Sequence, residues 1–135
     1  MGRIAVLLTI AAGLAACGGP EMSMGERSGT PADPRPLMSD IASVEASAAP
    51  NGLVLRATGL PPVQGWWDAE LVPVSDDDPA ALTFDFRALP PEGAMRRSTP
   101  RSREVTVGLL LGASDLRGIA EIRIRSAESM RVLRR

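Results

Sequence analysis

The segment Leu82–Leu89 constrains this chain more than any other: Leu82, Phe84, Phe86 and Ala88 alternate with Thr83, Asp85 and Arg87. Successive side chains of an extended chain point to opposite faces, so this spacing makes one face apolar and the other polar. The same period of two recurs from Ile41 onward, interrupted each time by turn residues. Ile41–Ala48 is a first strand, with Ala42, Val44 and Ala46 on one face, although Leu37, Ile41, Val44 and Ala48 would also line a helix. After a turn at Pro50, Asn51 and Gly52, the segment 53–58 sends Leu53, Leu55 and Ala57 inward and Val54, Arg56 and Thr58 outward. Pro61 and Pro62 mark the next break, and Trp66–Val74 forms a third strand.

Ser75–Pro79 turns the chain into the Leu82–Leu89 strand, and a long polar loop occupies 90–102. Val105, Val107, Leu109 and Leu111 mark the inward side of a fifth strand. Residues 112–118 cross over, with a helical turn near Ser114 and Asp115. A sixth strand at 119–126 buries Ala120, Ile122 and Ile124 and shows Glu121, Arg123 and Arg125 to water; Ser129–Leu133 closes the sheet. Seven short strands in about 95 residues predict an all-β fold, an antiparallel immunoglobulin-like sandwich, with a small open β-barrel as the alternative. The chain has one cysteine, so the intrasandwich disulfide of antibody domains cannot form and hydrophobic packing must carry the fold.

That cysteine, Cys17, closes Leu14-Ala15-Ala16-Cys17 at the end of an apolar stretch, Ile4–Ala16, interrupted only by Thr9 and Gly13. Arg3 and the α-amino group supply a cationic start, the order of a secretory signal. Thirteen helical residues would reach roughly 20 Å against a hydrocarbon core of about 30 Å, too short to span. The ending resembles the lipobox of bacterial lipoproteins. The resemblance implies cleavage before Cys17, acyl chains on the new N-terminal cysteine, and a membrane anchor without a transmembrane span. Gly18 rather than aspartate follows, which in the same family implies the outer membrane, facing the periplasm. Gly65–Val74 and Leu82–Pro91 are also similar to segments of small uncharacterised lipoproteins of Gram-negative bacteria. The expected organisation is a signal peptide at 1–16, a lipidated cysteine and flexible tether rich in glycine and proline at 17–38, and a β-domain at 39–135.

Composition excludes much chemistry. All 15 basic residues are arginine, and lysine, histidine and tyrosine are absent. No Ser-His or Cys-His pair, imidazole shuttle, Schiff-base lysine or ordinary zinc site can be assembled from such a chain. We therefore expect no enzyme, cofactor or metal. The near-balanced charge, −1 overall, gives no electrostatic case for nucleic acid.

Four groups remain as candidate sites. Trp66 and Trp67 are adjacent, so a strand sends them to opposite faces. Trp67, in phase with Ala69 and Leu71, is expected in the core, and Trp66, in phase with Asp68 and Glu70, outside, where an indole suits a sugar ring or a partner protein. Otherwise Trp66 packs beneath the 90–102 loop or on the other sheet's edge. Arg96, Arg97, Arg101 and Arg103 form a basic loop whose guanidinium forks match carboxylates and phosphates. Asp76, Asp77 and Asp78 offer oxygens to calcium, but without EF-hand spacing they read equally as a solvated turn. Asp68, Glu70 and Asp85 would supply a carboxylate pair only if a cleft joined them. Charge is polarised: Cys17–Phe86 holds 3 arginines and 11 acids (−8), Arg87–Arg135 11 arginines and 5 acids (+6). The two halves are expected either to neutralise each other across strands or to leave the loop free for an acidic partner.

These residues together predict a monomeric, lipid-anchored, non-catalytic interaction module docking on another cell-envelope protein. The alternative is adhesion to envelope peptidoglycan or glycolipid through Trp66 and the arginine loop.

Overall fold

A computed structural model describes residues 32–135. Cys17, the expected signal peptide and most of the expected tether lie outside the described residues. Period-two patterning becomes seven strands: β1 (Asp40–Ala49), β2 (Gly52–Leu60), β3 (Trp67–Val74), β4 (Ala81–Leu89), β5 (Val105–Gly112), β6 (Glu121–Arg125) and β7 (Met130–Arg134). They form a three-stranded sheet, β1-β2-β5, and a four-stranded sheet, β3-β4-β6-β7, as a two-sheet sandwich rather than a closed barrel.

The core lies between the sheets and is built from the inward series read off the sequence. Leu55, Ala57, Phe84, Phe86, Ala88, Leu111, Ile122 and Ile124 are buried. Each such large apolar side chain contributes about 1.5–3 kcal/mol when removed from water, and no disulfide supplements them. Gly59 is confined by this core. A Cβ there would come within 2.7 Å of Met38 Cγ and 2.9 Å of Phe86 Cζ, so the two sheets approach at a point only glycine allows. Gly52, at φ +156°, opens β2 where a side chain would collide with the Leu111 carbonyl.

Three features correct the expectations from sequence. The pairing is not wholly antiparallel: β4 and β6 run parallel, Leu82 beside Ile122 and Phe84 beside Ile124. The chain leaves β4, crosses to the other sheet as β5 and returns as β6, a crossover that parallel neighbours require. Next, the folded unit begins at Asp33, so residues 33–38 of the expected tether belong to the fold. Met38 is fully buried and donates its N–H to the Phe86 carbonyl, while Leu37 bridges to Arg87. Lastly, β1 is the expected strand, but an irregularity between Ile41 and Ser43 takes Ala42 off the face it was expected to share with Val44 and Ala46. The extra residue is Ala42; Val44, half-buried, pairs with Ala57, and Ala46, still exposed, pairs with Leu55.

The 90–104 loop contains one short helix, α1 (Pro100–Arg103), which the sequence did not signal to us. Thr99 caps it, accepting from the Ser102 N–H at 3.3 Å. The Gln64 N–H donates to the Arg96 carbonyl at 3.1 Å, so this loop lies against residues 61–65.

Candidate functional site

The ion pairs among the described residues gather on the four-stranded sheet and the segments beside it. Asp85 points outward from β4 as the alternation requires, yet only 2% of its side chain is exposed. Arg87 Nη2 donates to one carboxylate oxygen at 2.7 Å, and Arg125 Nε donates to the other at 2.8 Å. Beside it, Arg123 donates to Asp76, Asp78 and Glu121 at 3.1, 2.9 and 3.0 Å. Asp76 also accepts from the Thr83 hydroxyl; that bond, first, and Arg123 hold its carboxyl below the ordinary range. Glu121, above all, holds the Arg123 guanidinium above its usual value. At the start of the folded unit, Arg35 bonds Asp33 and Glu70 at 2.6 Å each and donates to the Asp68 carbonyl at 3.1 Å. Arg35 pulls the Asp33 carboxyl down to about 2.

These contacts resolve two of the candidate groups. Asp76 and Asp78 of the turn are bound to Arg123, and among the described residues no cluster of three His, Cys, Asp or Glu side chains is arranged around a cation position. Asp68, Glu70 and Asp85 do not converge on a cleft: Arg35 holds the first two, and Arg87 and Arg125 the third. The acidic first half and the basic second half neutralise each other across strands here.

The tryptophans are reversed relative to expectation. Trp66 packs against the core, with its indole Nε1 buried and without a hydrogen-bond partner among the described residues. Trp67 is 56% exposed and pairs with Leu89 on the outer face. An irregularity between Trp67 and Glu70, with Asp68 at φ +49°, adds a residue to β3 and inverts its phase. Aspartate tolerates that left-handed conformation better than most residues, but neither signal exists in a simple alternation.

The four loop arginines divide. Arg96, Arg97 and Arg101 are exposed, whereas Arg103 is buried, with Nη1 donating to the Pro62 carbonyl at 2.8 Å. Arg97 and Arg103 line one groove of about 340 Å³ together with Asp40, Pro61, Pro62 and Glu128. Trp66 does not line this groove.

A second groove, which the sequence did not signal, opens where β3 of one sheet faces β5 of the other. It measures about 400 Å³, and Leu71, Leu82, Phe84 and Leu109 form its apolar lining with Glu70 and Asp115 at the rim. Leu110 is 61% exposed beside it. The edges of the sheets differ in how they are shielded. β1 carries an irregularity and Glu45, β3 an irregularity and Pro73, and β7 three arginines in Arg131, Arg134 and the following Arg135. β5, Val-Thr-Val-Gly-Leu-Leu-Leu-Gly, has no charge, no proline and no bulge. Bulges, charges and prolines are the devices that keep an edge from pairing, and β5 lacks all three. No family model, curated protein or solved structure matches the chain.

Proposed function

We propose that this protein is a lipid-anchored lipoprotein of the cell envelope, held at the outer membrane and facing the periplasm, that docks an extended segment of another envelope protein along β5. The unshielded β5 edge beside the β3–β5 groove carries this reading. An added strand would satisfy the free backbone groups of β5, while its alternate side chains enter the apolar groove. No basic residue lines that groove, and of its two acids Glu70 is held by Arg35 while Asp115 makes no ion pair among the described residues. The complementary segment is therefore apolar at alternate positions and carries an arginine or lysine beside them.

The anchor rests on Leu14–Cys17 and the apolar run before it. From Cys17 to the first folded residue, Asp33, a fully extended chain would reach at most about 55 Å, enough for the sandwich to stand clear of a bilayer surface. Acyl chains at about 0.8 kcal/mol per buried methylene hold firmly when more than one is present.

A photo-crosslinking residue at position 110, with a control at Val132 on the other sheet's outer face, tests the docking in cells. The expected adduct forms from 110 only, maps to an alternating apolar segment with a basic residue, and is lost in Gly108→Lys. That position has open space for a side chain, so the lysine adds charge to the edge without a clash. Equal adducts from both positions, or an adduct that survives Gly108→Lys, contradict the docking. An adduct to a second copy of this chain replaces the partner by self-association. Cys17→Ala should move the protein from the detergent to the aqueous layer on phase separation; unchanged partitioning rejects the anchor.

A further inference from the structure

Arg103 is folded into the protein without a carboxylate. The arginines packed into the four-stranded sheet each have one: Arg35 reaches Asp33 at 2.6 Å, Arg87 reaches Asp85 at 2.7 Å and Arg123 reaches Glu121 at 3.0 Å. Arg103 is only 8% exposed, and among the described residues no acidic oxygen lies within ion-pair distance of it. Its Nε is buried without a partner. A buried cation in this state is costly unless something neutralises it.

The groove beside it supplies the other half of the observation. With Nη1 fixed on the Pro62 carbonyl and Nε enclosed by the protein, Nη2 is the nitrogen of Arg103 left without a hydrogen-bond partner among the described residues and able to donate to a carboxylate. Arg97 lines the same groove and makes no ion pair among the described residues. Asp40 uses one oxygen, Oδ1, for both the Ile41 N–H and the Ser129 hydroxyl, leaving Oδ2 unbonded among the described residues. Glu128 is exposed and unpaired among those residues. Two cations and two anions therefore surround one volume without pairing with each other. A simple anion would meet two carboxylates there, and a simple cation two guanidinium groups.

We propose that this groove binds a small zwitterion, an amino acid or a free peptide end, with its carboxylate on Arg103 and Arg97 and its ammonium on Asp40 and Glu128. A volume of about 340 Å³ suits a ligand of that size. The groove shares no lining residue with the β3–β5 opening, so this inference stands or falls apart from strand docking.

Amide chemical shifts of the full chain in detergent, titrated at constant ionic strength, test it. The probes are glycylglycine, acetate and methylammonium. Glycylglycine should give saturable shifts at Ser39, Arg103 and Glu128, and acetate and methylammonium should bind about tenfold or more weakly, the equivalent of one lost charged contact. Arg97→Gln and Glu128→Gln, both at exposed side chains, should each weaken glycylglycine about three- to tenfold while leaving the remaining spectrum unchanged. Absence of saturable shifts, acetate binding as tightly as glycylglycine, or wild-type affinity in both variants would overturn the proposal.

Discussion

The outer faces of the two sheets solve the same problem in opposite ways. On the four-stranded sheet, two sets of ion pairs lie over β4 and β6, one centred on Asp85 with Arg87 and Arg125, the other on Arg123 with Asp76, Asp78 and Glu121. On the three-stranded sheet the facing rows are Ser43–Thr58–Thr106, Glu45–Arg56–Gly108 and Ser47–Val54–Leu110. Thr58 and Thr106 share a hydroxyl–hydroxyl bond of 3.0 Å, and no ion pair tops this sheet among the described residues. The chemistry-bearing residues that stand out in the sequence are thus mostly consumed in holding one sheet together. Of the sheet edges, the one left with unmet bonding capacity is on the plain sheet, β5, where no charged residue draws attention.

The largest effect that sharpens this contrast is expected at Asp85. Asp85→Ala leaves Arg87 and Arg125 facing a half-buried strand without their anion, and should cost about 3 kcal/mol in urea unfolding. A loss under about 1 kcal/mol would mean the network is ornamental, as exposed ion pairs commonly are. Gly59→Ala should follow, at about 2 kcal/mol, because its methyl group presses on Met38 and Phe86 between the sheets. Gly108→Ala on β5, with open space around it, should change the same midpoint by no more than about 0.5 kcal/mol.

Acid should act on the charged sheet first. Asp33 has a folded-state value of about 2 against an ordinary 3.8, because Arg35 bonds the ionised form, and Asp76 is lowered in the same direction by Thr83 and Arg123. A lowered carboxyl stabilises the fold above its unfolded value and loses that contribution as pH falls toward the folded one. Stability should therefore decline between about pH 4 and pH 2, with Asp33→Asn flattening part of the decline in pH-dependent melting. An unchanged profile in that variant would separate Arg35 from the acid response.

Smallest are the tryptophans. Trp66→Phe removes a buried donor that has no partner along with some packing area, so the two changes oppose and stability should move by less than about 1 kcal/mol. Trp67→Ser, on the exposed face, should stay within about 0.5 kcal/mol. A larger loss at Trp67 than at Trp66 in thermal melts would reverse their assignment to outer face and core.

Strand positions were legible because period-two alternation is a local property: the inward residues Leu55, Phe84, Phe86, Leu111, Ile122 and Ile124 all occupy the core. What was not legible depends on contacts distant in sequence. The parallel pairing of β4 with β6 is set by a crossover through the other sheet, which no local pattern encodes. One added residue near Asp68 inverted the two tryptophans. Met38 sits among proline-rich polar sequence, yet its N–H bonds the Phe86 carbonyl, its own carbonyl accepts from the Ala127 N–H, and its side chain is fully buried. Of the arginine loop, the sequence shows the four arginines but not that Arg103 turns inward while Arg96 and Arg101 stay outside, nor that Asp40 and Glu128 line the same groove as Arg103.

Hydrogen exchange of β5, measured on the protein in its native membranes and again after purification in detergent, tests the docking account most directly. Strand addition predicts that amides of Val105–Gly112 are slowed in the membrane and speed up once the partner is removed, while those of β4 exchange alike in both. Equal exchange of β5 in the two preparations would contradict it.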